Sequence, residues 1–194
     1  GRDGVVRSWS LSTNARAISA RWKRADVADL LSTRDGLFIA GADPAFARFD
    51  PESGHTLWSD NSSAYGLRVF ESEGVVVGLA MDGLVTAWKS DERIWSIDVG
   101  ELLRGGALRD RRVSISVDRR LVTVDLHSGS IVETIDFGQE TPIGIAVGET
   151  WRLVTCLSGR LCVVRDGMIT QIMDAHHDSA WSAATSPDGT LVAT

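Results

Sequence analysis

The fold is decided by residues 66–98, which read GLRVFESEGVVVGLAMDGLVTAWKSDERIWSID. Three turn-forming pairs divide this stretch into four short runs, and they are Glu73-Gly74, Asp82-Gly83 and Asp91-Glu92. Short runs rich in Val, Leu, Ile and Thr between turn residues are typical of β-strands. The run from Val75 to Leu79 is apolar throughout, which predicts a strand buried on both faces. The stretch therefore predicts one unit of four short strands, which we name a to d in chain order.

The same three turns recur along the whole chain with a spacing of about 36 to 40 residues. The turns between strands a and b contain Asp35-Gly36, Glu73-Gly74, Asp110-Arg111, Gly148-Glu149 and Asp188-Gly189. The b–c turns contain Asp3-Gly4, Asp43-Pro44, Asp82-Gly83, Asp118-Arg119 and Ser158-Gly159, and the c–d turns contain Ser12-Thr13, Ser53-Gly54, Asp91-Glu92, Ser128-Gly129 and Asp166-Gly167. A fixed period of this length with four strands in each unit is the signature of propeller blades. We therefore predict an all-β fold, a β-propeller of five four-stranded blades.

The five blades account for residues 1–194 as a single propeller domain. Blade 1 comprises residues 22–58, blade 2 residues 59–97, blade 3 residues 98–135 and blade 4 residues 136–174, whereas blade 5 is split into residues 175–194 and 1–21. Counted through the chain ends, the step from Ser158 to Asp3 is 39 residues, so the two ends are in phase. Either the half-blades close the ring, which we favour, or the chain is a five-blade segment of a larger propeller.

The first strand of each unit has a small residue in its middle, namely Ala28, Gly66, Gly106, Gly144 and Ala183. Innermost propeller strands crowd together, so we expect these positions to exclude larger side chains.

Charge and hydropathy restrict the classes of partner. The net charge of -6, from 20 basic and 26 acidic residues, has the wrong sign for a domain that binds nucleic acid through phosphate contacts. The local basic groups, which include Arg109, Arg111 and Arg112, fall at predicted turns, where solvated charges are expected. No apolar run of about 18 residues is present to span a bilayer. We therefore expect neither nucleic acid nor a membrane as partner. The start at Gly1 without methionine suggests a processed, excised or engineered piece, which would be part of a larger multidomain chain.

The two cysteines, Cys156 and Cys162, flank a predicted hairpin turn at Ser158-Gly159. A two-residue turn there would pair Cys156 with Leu161 and Cys162 with Thr155, which places the thiols on opposite faces of the sheet. We therefore predict two reduced thiols that are not bonded to each other. Free buried thiols suit a reducing compartment, which favours the cytoplasm.

The chain ends resemble the two halves of a WD repeat. The segment from His176 to Thr194 has a His before strand a and a Ser-Pro-Asp-Gly turn, and residues 1–10 resemble the missing half, except that Ser10 stands where the family has Asp. This resemblance to the WD-repeat β-propeller family implies a structural tetrad of hydrogen-bonded side chains that rigidifies a blade. Its members here would be His176 or His177, Thr194, Asp3 and Trp9.

The middle units are similar to the Asp-x-x-Thr-Gly-Lys-x-x-Trp signature of quinoprotein-like propeller repeats. The segment from Asp50 to Trp58 matches it with Ser for Thr and His for Lys, and Asp125 to Gly129 and Trp88 to Trp95 match it more faintly. The resemblance implies that the Trp docks one blade onto the next, so we interpret Trp58 and Trp95 as packing residues. The vicinal cysteines and metal ligands of quinoprotein dehydrogenases have no counterpart in the sequence, so we expect no cofactor and no metal.

Binding is expected at the end of the propeller where the d–a and b–c loops meet. Trp, Tyr and Arg are enriched at interface hot spots, so the candidate binding residues in these loops are Trp22, Tyr65, Arg104, Arg120 and Arg160. We expect no catalytic residue, because no Ser or Cys nucleophile stands in a recognisable context. Adjacent histidines point to opposite sides of an extended strand, so His176-His177 is a poor metal site.

The sequence thus favours a non-enzymatic, WD-like propeller that acts as a scaffold for a protein partner. One alternative is a small-ligand or carbohydrate-binding propeller resembling five-bladed lectins, although the loop residues differ from unit to unit, which argues against five equivalent sites. A quinoprotein-like or hydrolytic enzyme is the other alternative. It would need carboxylates clustered at the mouth of the channel.

Overall fold

A computed structural model of the protein describes residues 5–9, 16–21, 26–63, 65–186 and 188–194, with the backbone alone for residues 5–9 and 16–21. This part of the chain consists of twenty short strands and the turns that connect them. It contains no helix long and apolar enough to cross a membrane.

Four four-stranded sheets follow one another along the chain, each with its strands in the order a, b, c, d. Blade 1 consists of β3 (Val27–Thr33), β4 (Gly36–Gly41), β5 (Phe46–Phe49) and β6 (Thr56–Asp60), and blade 2 of β7 (Gly66–Ser72), β8 (Val75–Ala80), β9 (Leu84–Lys89) and β10 (Glu92–Asp98). Blade 3 consists of β11 (Leu103–Arg109), β12 (Arg112–Val117), β13 (Arg120–Asp125) and β14 (Ile131–Asp136), and blade 4 of β15 (Pro142–Val147), β16 (Arg152–Cys156), β17 (Arg160–Arg165) and β18 (Met168–Asp174). The predicted all-β fold of four-stranded repeats is confirmed.

The chain ends form two short antiparallel pairs. Near the start, β1 (Val5–Trp9) pairs with β2 (Arg16–Arg21), both within the residues predicted for the N-terminal half of blade 5. Near the end, β19 (Ala184–Thr185) pairs with β20 (Val192–Ala193). The structure has these pairs as two separate two-stranded sheets, and the split of blade 5 stays a prediction.

The chain divides into two compact units, Gly1–Ile94 and Trp95–Thr194. Strands b and c supply most of the core in each unit, because these middle strands are covered on both faces. Every residue of β8 is buried, as the apolar run from Val75 to Leu79 predicted. Strands d are more exposed, as the alternation in β6 and β10 illustrates.

Neighbouring strands a approach so closely that glycine is needed at the contact. A Cβ on Gly105 in β11 would lie 2.4 Å from the carbonyl oxygen of Ile143 in β15. A Cβ on Gly144 would lie 3.0 Å from the carbonyl oxygen of Trp181, which explains the small residue predicted at this position. In each of these strands the pairing register also shifts near the first residues, between Val27/Asp29, Gly66/Arg68, Leu103/Gly105 and Pro142/Ile145.

The two Asp-x-x-Ser-Gly segments form the same hydrogen-bonded c–d turn. In blade 1, the carboxylate of Asp50 accepts hydrogen bonds from the Ser53 hydroxyl at 2.7 Å and the Glu52 amide at 2.8 Å. In blade 3, Asp125 accepts from the amide and the hydroxyl of Ser128, both at 2.9 Å. These bonds favour the ionised carboxylates, so they lower the pKa of both aspartates. The motif is therefore a turn-forming device.

The prediction that the two thiols lie on opposite faces is wrong. Strand β16 ends at Cys156 and β17 begins at Arg160, so three residues form the turn, and Gly159 has a φ of 84° there. The register is Thr155 with Leu161 and Val154 with Cys162, one residue away from the predicted pairing, and a one-residue slip moves side chains to the other face. The two buried sulfurs therefore lie on one face, 3.8 Å apart and far from the bond length of about 2 Å. The contact with Cys162, together with burial, raises the pKa of Cys156.

Candidate functional site

Blade 1 docks onto blade 2 through aromatic side chains. The rings of Trp58 and Trp88 lie 5.2 Å apart edge to face, and those of Phe46 and Trp88 lie 5.1 Å apart. The indole of Trp88 donates a hydrogen bond to Asp60 at 3.0 Å. Burial alone would raise the pKa of Asp60, but hydrogen bonds from Ser62 and Trp88 outweigh it and lower the pKa. Trp58 is a packing residue, as the resemblance implied.

Trp95 is also a packing residue. Its indole N–H donates to the carbonyl oxygen of Leu126 at 2.9 Å. Its ring covers Gly129, where a Cβ would lie 2.7 Å from the indole and where φ is 68°. Both features require glycine at position 129, which explains the Gly of the c–d turn motif.

Blade 3 docks onto blade 4 through polar groups instead. Arg152 in β16 donates from Nη1 to the hydroxyl of Thr123 at 2.8 Å and forms an ion pair with Glu133. Thr123 donates in turn to the Glu133 carboxylate at 2.9 Å. The hydrogen bond from Arg152 is the main cause that lowers the pKa of Glu133. The three side chains form one network across the two blades.

Each of these two junctions has a cavity at the end of the blades where the a–b and c–d turns lie. The cavity between blades 1 and 2 has a volume of about 500 Å³. Arg48 lines it, donates to the carbonyl oxygen of Asp35 at 2.6 Å, pairs with Asp91, and lies with its guanidinium 6.0 Å from the centre of the Phe38 ring. The side chain of Arg48 thus already links the two blades within this cavity.

The cavity between blades 3 and 4 has a volume of about 360 Å³. Its floor holds the buried residues Ser114, Thr123 and Val164, and Trp151 lies in its wall. Its charged lining consists of Arg109, Arg112, Arg152 and Arg165 together with Asp110, Glu133, Glu149 and Asp166. The lining is therefore polar and carries as many carboxylates as guanidinium groups.

Of the predicted binding residues, Trp22 lies outside the described residues. Tyr65 is half-buried and forms an isolated β-bridge with Ala42. Arg104 is half-buried at the register shift of β11, and its buried Nε has no hydrogen-bond partner among the described residues. Both side chains are therefore only partly accessible to a partner.

The other two predicted arginines form bonds within the chain. Arg120 donates to Asp118 at 3.1 Å and to the carbonyl oxygen of Val99 at 3.3 Å. Arg160 donates to Asp174 at 2.8 Å and to Glu140 at 2.9 Å, and these two carboxylates raise its pKa. A partner that binds either arginine would have to compete with these carboxylates.

One contact of the implied structural tetrad is present, because Nε2 of His176 lies 2.7 Å from the hydroxyl of Thr194. His177 is exposed, Asp3 lies outside the described residues, and Trp9 is described by its backbone alone. The four-membered tetrad stays a prediction.

The turn that resembles a WD repeat is closed by its own side chains. Ser186 donates from its hydroxyl to Asp188 at 2.5 Å and accepts from the amide of Leu191 at 2.9 Å. The hydrogen bond from Ser186 is the main cause that lowers the pKa of Asp188.

Sequence reasoning missed the exposed apolar residues of the loops. Met81, Leu102, Leu157 and Trp181 lie in b–c turns or d–a segments and are 51%, 56%, 44% and 70% exposed. In the four complete blades, the described a–b and c–d turns contain no large apolar residue that is exposed. An apolar residue beside a predicted turn, such as Leu157 before Ser158-Gly159, is the sequence signal that could have found them.

The described residues contain no group of three or more His, Cys, Asp and Glu side chains placed to hold a metal ion.

The fold is similar to that of solved propeller structures. A chain in the crystal structure of the mitotic checkpoint complex is 14% identical with a TM-score of 0.86, over 98% of this chain and 65% of that one. The computationally designed Ika8 protein is 15% identical with a TM-score of 0.82, over 94% of this chain and 59% of that one. The protein therefore has a WD40-like β-propeller fold. It spans less than two thirds of the length of either structure.

No family model matches the sequence, and no curated protein matches it.

Proposed function

We propose that the chain is a WD-repeat propeller that acts as a scaffold and binds a protein partner through its d–a and b–c loops. The WD40-like fold supports this family, as does the bonded turn from Ser186 to Leu191, which lies where the sequence resembles a WD repeat. The contact between His176 and Thr194 supports it as well, because both residues belong to the implied tetrad.

One observation carries the choice of binding end: in the described loops of the four complete blades, the large apolar residues that are exposed lie on the d–a and b–c side. Outside these blades, Leu191 in the turn between β19 and β20 is 70% exposed at the a–b end. In the second unit, Leu102, Leu157 and Trp181 all lie in such loops. The backbone around Leu157 is held by several hydrogen bonds, because its amide donates to Thr141 at 2.9 Å and its carbonyl accepts from Ser179 at 3.0 Å. Exposed apolar side chains on a well-bonded backbone suit a protein interface.

We also propose that the scaffold has no catalytic activity of its own and works in the cytoplasm, with neither nucleic acid nor a membrane as partner. The lowered pKa values of Asp50, Asp125 and Asp188 arise from hydrogen bonds within turns, which is a structural cause. The net charge of -6 disfavours a polyanionic partner, and the buried free thiols suit a reducing compartment.

The proposal is tested by affinity capture from cell extract with the wild type and with a double variant, Leu102→Ser/Leu157→Ser. We expect the double variant to lose the captured proteins, because both apolar anchors are removed from the loops. The matched control is Ile131→Ser/Met168→Ser, which removes apolar residues that are 50% and 64% exposed on strands d. Thermal unfolding confirms that both variants remain folded. The proposal is wrong if the loop variant captures the same proteins as the wild type, or if the control loses them equally.

A further inference from the structure

The cavity between blades 3 and 4 lies at the opposite end of the blades from the proposed protein-binding loops, and no function described above uses it. We infer that it is a binding site for one neutral sugar ring, a single monosaccharide unit. This inference is independent of the scaffold function, because the two sites share no residue.

The balance of charges excludes most other ligand classes. Four guanidinium groups and four carboxylates line the cavity, so an anionic or a cationic ligand would meet as much repulsion as attraction. Hydroxyl groups both donate and accept hydrogen bonds, so they suit a lining that contains donors as well as acceptors. A neutral ligand with several hydroxyl groups therefore matches this lining best.

The floor offers an acceptor that the protein holds in place. Oε2 of Glu133 accepts hydrogen bonds from both Arg152 and Thr123, whereas Oε1 has no partner among the described residues. Oε1 lies beside the cavity, 3.4 Å from the position of a Cβ on Gly167. The ion pair with Arg152 keeps this carboxylate ionised and fixes its orientation, so Oε1 is ready to accept a hydroxyl hydrogen bond.

The wall offers an aromatic surface that is fixed in the same way. Trp151 closes the a–b turn of blade 4, where the Gly148 amide donates to its carbonyl at 2.8 Å. The indole lies directly against Gly148, because a Cβ there would be 2.1 Å from Cε2 and 2.5 Å from Nε1. Glycine thus allows the half-buried indole to lie across its own turn, where Trp151 packs against the apolar cluster of Ala146, Leu153, Leu161 and Ala180 and also lines the cavity. Apolar faces of sugar rings pack on such rigid aromatic surfaces.

The volume of the cavity and a comparison with the cavity between blades 1 and 2 restrict the class of ligand further. Ligand pockets have volumes of roughly 300–1,000 Å³, and this cavity lies near the lower limit, which suits one ring. Both cavities contain an arginine that links the two blades, Arg48 in one and Arg152 in the other, but the floor of the cavity between blades 1 and 2 is aromatic, with Phe38 and Trp88. The two cavities thus have chemically different side chains at matching positions. The inference concerns only the cavity between blades 3 and 4.

The experiment is a saturation-transfer NMR titration of the full chain with D-glucose, D-galactose, D-mannose and N-acetyl-D-glucosamine, each up to about 50 mM. We expect at least one of these sugars to bind with a Kd of about 1 mM, as is reasonable for a ligand of this size. The variant Trp151→Leu should weaken binding at least about tenfold, whereas Trp151→Phe, which keeps an aromatic ring, should retain part of it.

The matched control is Trp181→Leu, which removes an exposed indole from a loop at the other end of the blade and should leave sugar binding unchanged. Thermal unfolding of each variant separates loss of the site from loss of the fold. The inference is overturned if none of the four sugars binds, if Trp151→Leu binds as well as the wild type, or if sulfate or free lysine binds this cavity more tightly than every sugar.

Discussion

The junction between blades 1 and 2 and the junction between blades 3 and 4 are held together by different kinds of contact. Phe38, Arg48 and Trp58 form one row across strands b, c and d of blade 1, and Trp58 packs on Trp88 of blade 2. In blade 3 the matching row is Ser114, Thr123 and Glu133, and Glu133 pairs with Arg152 of blade 4.

In both junctions a side chain at the same position of strand d contacts the next blade, although one contact is aromatic and the other is an ion pair. An aromatic contact buries apolar area, and its strength depends little on pH. An ion pair requires both charges and has to offset the cost of removing them from water. The two junctions should therefore respond differently to substitution and to acid.

The largest expected effect is at the aromatic junction. Trp88 is 2% exposed, and Trp88→Ala should reduce the free energy of unfolding by about 3–5 kcal/mol, because it leaves a cavity among packed rings. The measurement is urea denaturation followed by circular dichroism. Trp181→Ala, which removes an indole that is 70% exposed, should change the stability by less than about 0.5 kcal/mol. Equal losses for the two variants would show that the aromatic contact does not hold the blades together.

At the polar junction, Arg152→Ala should reduce the free energy of unfolding by about 1–3 kcal/mol. The substitution leaves Glu133 and Thr123 partly buried without the hydrogen bonds that Arg152 donates. The control Arg165→Ala removes an exposed guanidinium from the same cavity. It should reduce the free energy of unfolding by less than about 0.5 kcal/mol.

The double variant Arg152→Met/Glu133→Leu sharpens this test, because apolar residues can replace a buried ion pair with little loss. We expect it to be more stable than Arg152→Ala alone. A double variant that is less stable than the single one would mean that the ion pair contributes more than the burial of its aliphatic parts.

The c–d turn is the element that blades 1 and 3 share, so its loss should affect them equally. Asp50→Ala and Asp125→Ala each remove the acceptor of several hydrogen bonds within one turn. We expect similar decreases in the midpoint of urea denaturation, both smaller than that of Arg152→Ala, because these turns are exposed to water. The variant Glu149→Ala, in an exposed a–b turn, is the control. A large loss for only one of the two aspartates would contradict a shared role.

The smallest expected difference is in the response to acid. The pKa of Glu133 is lower in the folded state than its ordinary value of 4.5, so its ionised form stabilises the fold above that value. This contribution is lost as the pH falls from 4.5 through the lowered pKa. Glu133→Gln should therefore lose less stability than the wild type over this range, measured by thermal unfolding at a series of pH values. Identical pH profiles for the two proteins would show that the ion pair adds nothing to stability.

The sequence predicted the features that depend on neighbours along the chain. The turns around Asp35-Gly36, Glu73-Gly74 and Asp125 to Gly129, and the buried strand from Val75, follow from local residue preferences and are present. The face occupied by Cys162 was not predictable in the same way, because one additional turn residue reverses every side chain of the following strand.

Features that depend on distant residues could not be predicted. Arg120 and Arg160 are natural interface residues by type, yet Asp118, Asp174 and Glu140 already bind them. The pairing of Glu133 with Arg152, and the cavity beside it, arise only when two blades meet, and no local pattern marks them.

The self-contained c–d turns have a consequence for synthesis on the ribosome. Within one such turn Asp50 receives a hydrogen bond from Gly54 and donates one to His55, both at 2.9 Å, so all partners emerge together. Loops of this length close in about 10–100 ns, whereas translation adds roughly 5–20 residues per second. The hairpin that carries Trp58 can therefore form well before Trp88 has been made. For seconds the indole of Trp58 has no partner blade, and a nascent chain stalled at that point would expose it to chaperones.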